Sequence, residues 1–512
     1  MNHAKPKQAK TKKPRASLPF TPIKSANSAS NFLAVTTIAL LDLTAVAISL
    51  LMAYLTRNYL LVLIFPAYFA GELLNQTFEL LWWYPLAFIF CLAYENLYQK
   101  RLPFWIEVKC ILKAATLTLF LSVVLLYLVQ MGEEVSRTFI LLTWGFSILT
   151  IPLVRYYGKH QLHKRGLWNR PVLLLGDAYT IPLVYKALNR EKTMGYTVRG
   201  YLSSPDEYVE QAKNGTYPSN MNSNLSSLGV QDEAESIIAE TNIRDIIIAE
   251  PRLPSADLVK LTNRLQPLVN NIILVPDLFG ISLSGIEAAY FFEEQAVFLH
   301  IKNRLKSKLN RFIKRLFDLT VGTALSLLSL PFILIIGFAV KLDSPGPAFY
   351  ISTRIGQAGK HFRCYKFRTM YLNTDTILRN YLNSNEQARY EWERYNKLIT
   401  EDPRVTRIGR VLRQFSLDEL PQFINIMRGE MSLVGPRPYL PREKDQMASY
   451  MYDILISKPG LTGLWQVSGR NKLSFESRLK LDAWYIKNWS LWLDMVLLLK
   501  TLRVVMKSDG AY

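Results

Sequence analysis

Asp418 and Glu419 stand side by side in the run Phe415-Ser416-Leu417-Asp418-Glu419-Leu420-Pro421-Gln422, with Arg413 just before it and Arg437 after it in Gly435-Pro436-Arg437-Pro438. Carboxylates held among fixed cations suit chemistry on a phosphate. The cations hold the anion, one acid attacks the phosphorus, and the other can hold a metal. Two adjacent acids at a helix start also serve as plain partners for the helix dipole, and Arg437 between two prolines can be an ordinary surface residue. Further blocks favour the chemical reading, because a motif is confirmed by its context. Tyr365-Lys366-Phe367-Arg368-Thr369-Met370 follows an expected strand and brings two cations; the run from Lys458 through Gly460, Gly463 and Gly469 to Arg470 reads as a glycine-rich loop ending in a third. Taken singly, these are strand-edge cations and turn glycines.

The elements that must position this cluster are those of a membrane protein. Half of the 512 residues are hydrophobic and the net charge is +20, a balance that cytoplasmic Lys and Arg beside anionic headgroups account for. No nucleic-acid module pattern is present, so a nucleic-acid partner is not expected. Cys91, Cys110 and Cys364 are scattered thiols without metal spacing and fit a reducing compartment. Residues 1–30 hold seven cations, from Lys5 to Lys24, and no acid, and read as a disordered basic arm, too long before the first apolar run for a secretory signal. Residues 31–160 are expected to form a four-helix transmembrane domain with spans at 32–56, 81–98, 111–130 and 138–157, and residues 59–70, interrupted by Pro66, an interfacial piece of the first outer loop. Lys100, Arg101, Lys109 and Lys113 after the second span, and Arg155, Lys159, Lys164, Arg165 and Arg170 at the end of the fourth, put both ends of the unit in the cytoplasm. Asp42 lies inside the first span, where a functional acid and a helix–helix hydrogen bond are both open.

Residues 165–300 read as a Rossmann-like middle domain. Val172-Leu173-Leu174-Leu175-Gly176-Asp177, Ile246 to Glu250 and Ile272 to Pro276 are buried-strand runs separated by helical stretches, as in parallel βαβ units. The dinucleotide fingerprint is missing, since Gly176 stands alone at the first turn. A structural, dimerising or regulatory domain is the plainer reading. Residues 308–512 form the expected catalytic α/β domain at the membrane surface. It opens on an apolar helix, residues 312–341, in which Pro331 removes one backbone hydrogen bond and introduces a kink. Cations at both ends favour a re-entrant course, into one leaflet and back. Trp484-Tyr485-Ile486-Lys487-Asn488-Trp489, before an apolar stretch with Lys500, Arg503 and Lys507, suggests an interfacial helix.

In order over about residues 310–512, these blocks resemble the bacterial polyprenyl-phosphate sugar-1-phosphate transferases, and with the four spans and the middle domain the chain resembles their large members, nearest to the undecaprenyl-phosphate galactose phosphotransferase type, down to Asp509-Gly510-Ala511-Tyr512. The resemblance implies an EC 2.7.8 transferase that moves hexose-1-phosphate from a UDP-hexose to undecaprenyl phosphate, releases UMP and initiates O-antigen, capsule or exopolysaccharide synthesis. It implies galactose as the sugar, with glucose as the alternative. By the same resemblance Asp418 is the nucleophile that becomes a phosphosugar-enzyme intermediate, Glu419 is its dyad partner associated with Mg²⁺, and Lys366 is catalytic beside them. Arg413, Arg437, Arg368 and Arg470 match positions that hold substrate phosphate, and Pro331 matches the helix kink. The family breaks that helix at Ser-Pro, whereas here the pair is Leu330-Pro331, with Ser329 one position earlier. The implied setting is the bacterial inner membrane, multi-pass, with the catalytic domain cytoplasmic and a homodimer allowed. Two competing functions are weaker. A nucleotide-sugar dehydratase needs a dinucleotide fingerprint and a Tyr-x-x-x-Lys pair, and neither is found; a non-catalytic assembly scaffold predicts a dispensable dyad.

Overall fold

The computed structural model describes residues 28–69, 81–130, 135–204, 225–276, 287–291, 296–300, 304–395, 398, 402–447, 450–470 and 473–507. Most of the basic arm and the tail Asp509-Gly510-Ala511-Tyr512 lie outside the described residues. The chain divides into two compact units, Met1–Asp277 and Leu278–Tyr512.

In the first unit, α1 (Ser28–Leu55) runs on through a π-helical turn, Thr56–Leu61, into Val62–Ile64. The apolar run is therefore Phe32–Ile64, 33 residues, rather than a span ending at 56 followed by an interfacial piece. The polar residue that marks the expected end, Arg57, is buried, and its Nε donates to Ser136 Oγ at 2.9 Å. A partnered cation no longer stops a helix. The second expected span also differs: residues 81–98 are helical only over α2 (Tyr84–Tyr94). Pro85 opens it and Asn96, at φ 58°, ends it in left-handed backbone. Its 11 residues rise about 16 Å, roughly half a hydrocarbon core. Among the described residues the helices long and apolar enough to cross a membrane are Phe32–Ile64, α3 (Phe104–Leu128), α4 (Arg137–Lys164) and Lys308–Asp343. Residues 31–160, expected to hold four spans, contain three of these helices, and the last is the helix expected to be re-entrant, in the second unit.

Asp42 is an ion-pair partner inside these helices. Arg155 on α4 donates to it twice, from Nε at 2.8 Å and Nη2 at 2.7 Å, and Tyr98 Oη donates at 2.8 Å. Glu107 on α3 accepts from Arg155 Nη1 at 2.8 Å and from Lys159 Nζ at 2.6 Å. Two acids and two cations thus cancel in a buried cluster spanning three helices. Arg155 and Lys159 are consequently not free cytoplasmic charges, and the orientation argument rests on the remaining cations. Arg101 joins the helices to the sheet: its Nη1 donates to the carbonyls of Trp168 and Met194 at 2.8 and 2.9 Å, and its guanidinium lies 4.0 Å from the Trp168 ring centroid.

The sheet is five-stranded and parallel, in the order β3-β2-β1-β4-β5. Its strands are β1 (Arg170–Gly176), β2 (Tyr196–Ser203), β3 (Ser227–Val230), β4 (Asp245–Ala249) and β5 (Asn271–Leu274). Alternation explains why β1 reads as an unbroken apolar run: Val172 and Leu174 pack into one core, Leu173 and Leu175 into another on the opposite face. β2 and β3 were not expected; Arg199 and Gly200 interrupt one, and the other is four residues long. Helices α5 (Thr180–Arg190), α6 (Ala234–Thr241) and α7 (Ser255–Leu265) lie between strands.

The second unit begins, after the hairpin of β6 (Glu287–Phe291) and β7 (Ala296–His300), with α8 (Lys308–Asp343), helical throughout with Pro331 inside it. Phe317, Val321 and Leu325 pack on a core that includes Ile426, Leu433 and Tyr485. Ile333, Ile336 and Val340 belong with Phe367 and Leu412 in a second cluster, and Leu420 touches both. Between these flanks Leu327, Leu328, Leu330 and Phe332 are bare, and so are Leu334 and Ile335 on the outward face of the second flank. Then come β8 (Phe349–Ile355) antiparallel to β9 (His361–Phe367), α9 (Arg407–Gln414), a 3₁₀ helix over Leu417–Gln422, and α10 (Phe423–Arg428). The strand β10 (Ser432–Val434) pairs in parallel with β11 (Gly460–Thr462), and α11 (Phe475–Lys487) and α12 (Leu491–Lys507) close the unit. The expected glycine-rich loop from 458 to 470 therefore contains a strand and a short helix, Leu464–Ser468. Buried Lys314 on α8 donates to Asp494 Oδ2 at 2.7 Å and to the Val434 carbonyl at 3.0 Å, while Tyr485 Oη donates to Asp494 Oδ1 at 2.6 Å, so one charge pair ties α8, β10, α11 and α12 together.

Candidate active site

The dyad sits in the first turn of the 3₁₀ helix, not in an α-helix. Ser416, at φ 55°, turns the chain out of α9 and into it. Pro421, inside the helix, lacks the N–H that a longer helical run would use. Lys366 lies within β9 rather than after it, and its side chain arrives from the strand. Its Nζ is 2.6 Å from Glu419 Oε1 and 3.6 Å from Asp418 Oδ2. One ammonium therefore serves both carboxylates. All three groups keep some exposure, 22% for Lys366, 14% for Asp418 and 29% for Glu419, so a ligand can reach them.

Arg413 comes from the last turn of α9. Thr406 caps that helix, accepting from Gly409 N at 3.0 Å, and Arg413 Nε donates to Thr369 Oγ1 at 3.0 Å. Gly409 is a site residue that the motifs did not reveal. A Cβ there would run into the Thr369 carbonyl, so the absence of a side chain lets α9 lie against the Lys366 segment. The Asp402–Arg404 pair, bidentate at 2.8 and 2.7 Å, adds a second acid and cation near Arg413.

These charges act on one another. Burial, and then Glu419, push the Asp418 carboxyl above the ordinary range of aspartate, while Lys366 and Arg413 pull the other way. Burial works against the Lys366 ammonium, yet the carboxylates of Glu419 and Asp418 hold it above the usual lysine value. Burial raises the neighbouring Cys364 thiol to about 11, which leaves it inert.

Arg437 is set by groups absent from the motif. Its backbone N–H donates to Asp482 Oδ2 at 3.1 Å, Tyr439 Oη donates to the same oxygen at 2.8 Å, and Arg354 Nη1 donates to the Pro438 carbonyl at 3.1 Å. The Arg437 guanidinium lies 5.8 Å from the Trp465 ring centroid. Arg354 lies in the field of both Arg437 and Glu419, linking the proline-bounded turn to the dyad. Asp482 is fully buried with Oδ1 unpartnered, and burial raises its carboxyl to about 7. Arg368 has a different job from the phosphate contact expected of it: buried, it donates to the carbonyls of Ser344 and Pro345 and clamps the turn that ends α8. Arg470 follows the short helix Leu464–Ser468 in left-handed backbone at φ 47°. Pro331 lies in the bare stretch of α8. Among the described residues no three His, Cys, Asp or Glu side chains group as a metal cage.

The model of the bacterial sugar transferase family matches residues 309–508, and that of a CoA-binding domain matches residues 94–276. An undecaprenyl-phosphate galactose phosphotransferase of Salmonella typhimurium is 34% identical over 421 residues, 81% of this chain and 84% of the relative. The chain belongs to the bacterial sugar transferase family. A UDP-glucose:undecaprenyl-phosphate glucose-1-phosphate transferase of Escherichia coli is 30% identical to this sugar transferase over 69% of the chain and 72% of the relative. The exopolysaccharide production protein ExoY of Sinorhizobium fredii is 48% identical over 200 residues, which are 39% of this sugar transferase but 88% of ExoY.

Proposed function

We propose that this sugar transferase moves hexose-1-phosphate from a UDP-hexose to undecaprenyl phosphate and so starts a surface polysaccharide. The observation that carries the reading is the single Lys366 ammonium shared by Asp418 and Glu419, with Arg413 beside them. An acid pair that only caps a helix has no need of a shared, half-buried cation. A carboxylate approaching a diphosphate brings charge against charge, and this arrangement offsets it. An Asp418 oxygen attacks the β-phosphorus, the bond to the bridging oxygen breaks, and UMP leaves with that oxygen. The phosphate oxygen of undecaprenyl phosphate then attacks the same phosphorus, the aspartyl bond breaks, and the carboxylate is restored. Arg413 and Arg437 are assigned to the substrate phosphates, with bidentate contacts that suit guanidinium. Galactose is the first reading of the sugar, because the relative named for it aligns over more of the chain than the one named for glucose.

Two adjacent carboxylates without a protein cage fit Mg²⁺, which usually takes one or two carboxylates and completes its shell with phosphates and water. Glu419 would hold it, and when bound it neutralises phosphate charge. Membrane placement belongs to the same proposal. The two flanks of α8 packed on one domain, with an exposed apolar stretch and Pro331 between them, support a re-entrant course. Lys100, Lys109, Lys113, Lys164 and Arg165 support a cytoplasmic face for the catalytic domain. The strand order β3-β2-β1-β4-β5 supports a Rossmann-like middle domain. At its first turn, however, Asp177 Oδ1 accepts from the N–H groups of Tyr179 and Thr180 at 3.1 and 2.6 Å, so the chain's own carboxylate occupies the helix end where a nucleotide phosphate would dock.

The test incubates the full chain in membranes with UDP-[³H]galactose or UDP-[³H]glucose and undecaprenyl phosphate. Wild type is expected to label lipid and release UMP, and donor alone to leave a phosphosugar on the Asp418 peptide. Asp418→Asn is expected to lose at least ~10⁴-fold in rate. Equal lipid label from both proteins removes Asp418 from the chemistry, and preference for UDP-glucose replaces the first sugar reading with the second.

A further inference from the structure

A cavity of about 410 Å³ opens at the head of α8, away from the dyad. Its lining includes Lys308, Arg311, Lys314, Arg315 and Lys458, against a single acid, Asp318. That acid is already engaged, accepting from Ser432 Oγ at 2.9 Å and from Leu433 N at 3.0 Å. Lys314 has its own carboxylate in Asp494, whereas Arg315 spends its donors on the carbonyls of Ile426 and Met427, which leaves its charge uncompensated. Among the described residues no carboxylate lies within ion-pair distance of Lys308, Arg311 or Lys458. Gly429, at φ 79°, lets Arg315 and Lys458 converge: a Cβ there would crowd Arg315 Nη2 at 3.3 Å and Lys458 Nζ at 3.4 Å. Burial and the neighbouring Arg315 charge lower the Lys458 ammonium, as expected where cations gather without an anion.

The helix supplies a second feature. Lys308, Arg311 and Arg315 are spaced i, i+3, i+7, one stripe of a helix. Leu309, Phe312 and Leu316 repeat that spacing one residue on, and all three are exposed by more than half. A cationic stripe thus runs beside a bare apolar one, immediately before the exposed apolar middle of α8. A soluble phosphate has no use for the apolar stripe; a phosphate carrying acyl chains uses both.

We propose that this cavity binds the phosphate of an anionic phospholipid of the bilayer, separately from the sugar-transfer site. The inference rests on the membrane placement of α8 proposed above and not on the sugar chemistry. The polyprenyl acceptor fits the cavity less well, because its phosphate must reach Asp418. The cavity shares Gln357 and Lys458 with a neighbouring one lined by His361, at the far end of β9 from Lys366. His361 and Lys366 are five residue steps apart along β9, about 16 Å.

The experiment places the full chain in phosphatidylcholine nanodiscs containing a photoactivatable phosphatidylglycerol or, in a parallel arm, a photoactivatable phosphatidylcholine. Crosslinked peptides are then mapped by mass spectrometry. The expected result is label from the phosphatidylglycerol probe on residues 308–316 and 451–460, reduced at least fivefold by unlabelled phosphatidylglycerol and in the variant Lys308→Gln/Arg311→Gln/Lys458→Gln. A cooperative thermal unfolding transition like that of wild type reports that the variant is folded. If the triple variant does not show it, the exposed single change Arg311→Gln is read instead, with at least a twofold loss of label expected. Equal labelling by both probes, or label elsewhere only, overturns the proposal. Displacement by undecaprenyl phosphate but not by phosphatidylglycerol makes the cavity an acceptor site, and displacement by inorganic phosphate makes it a soluble-anion site; either result also overturns it. Adduct formation from donor alone is scored independently, so failure here leaves the transfer reading intact, and the reverse holds.

Discussion

Asp418 serves the proposed chemistry only as a carboxylate, yet burial and Glu419 favour its protonated form. Lys366 and Arg413 oppose that tendency, Lys366 the more strongly, and its removal is expected to push the carboxyl higher still. The rate of adduct formation should therefore rise with pH to a plateau, and Lys366→Met should shift that rise to higher pH while lowering the plateau by ~10²-fold or more. An unshifted rise would mean that Lys366 does not govern the ionisation of Asp418. Asp482 gives a second prediction at this scale. Its folded value, about 7, lies above the unfolded one of about 3.9. Between those values the folded state holds a proton that the unfolded state has released, so this group's contribution to stability falls as pH rises through the window, by on the order of 1 kcal/mol per pH unit, and is level above it. Thermal unfolding of wild type and Asp482→Asn from pH 4.5 to 8 checks the sign: the difference between the two proteins should change across this window and stay constant above about pH 7. Asp418 and Glu419 were legible because adjacent acids beside Arg413 leave a local pattern, and Lys366 because its block resembles that of the family. Asp482, Gly409 and Arg354 were not, because their roles come from contacts with Arg437, Thr369 and Pro438 across the fold. Arg368 shows the converse: a cation in the right block whose donors go to backbone carbonyls.

At the scale of elements, hydropathy found apolar stretches and misplaced their limits. α2 is shorter than its apolar run because Pro85 and Asn96 set its ends, and the first helix is longer because Arg57 finds Ser136. Strands β1 and β4 announced themselves as leucine or isoleucine runs buried on both faces, and β5 as a similar run that lies half-buried at the sheet edge, while β2 and β3 carry glycine or charge that breaks the apolar pattern. The buried cluster of Asp42, Glu107, Arg155 and Lys159 was half visible, since the sequence offered Asp42 but not its partner 113 residues away. Truncating Arg155 leaves two carboxylates facing one ammonium in a dry helix interface. Arg155→Leu is therefore expected to cost about 3–5 kcal/mol, seen as a lowered unfolding temperature of the detergent-extracted chain. A variant as stable as wild type would show that the cluster is open to water.

At the scale of the whole molecule, chemistry and bulk are unevenly shared. Every residue assigned to the reaction lies in the unit Leu278–Tyr512, which holds the whole match to the bacterial sugar transferase model, residues 309–508, while 200 residues of this chain cover 88% of ExoY. Among the described residues that unit has its own cores and its own apolar helix, α8, flanked on both sides by contacts to the same domain. Residues 304–512 expressed alone and placed in the same bilayer are thus expected to form the Asp418 adduct from donor within about tenfold of the full-chain rate, a difference under about 1.4 kcal/mol in the barrier. The control is the pH rise set by Lys366, which must appear in the fragment at the same pH if the site is intact. A fragment that unfolds cooperatively and keeps that pH rise, yet works more than about a hundredfold slower, or about 2.7 kcal/mol, would show that the first unit has a share in the rate. A fragment within the tenfold limit leaves the membrane helices and the parallel sheet with tasks other than chemistry, in keeping with an Asp177 that fills its own helix end and an ion cluster that cancels its own charge.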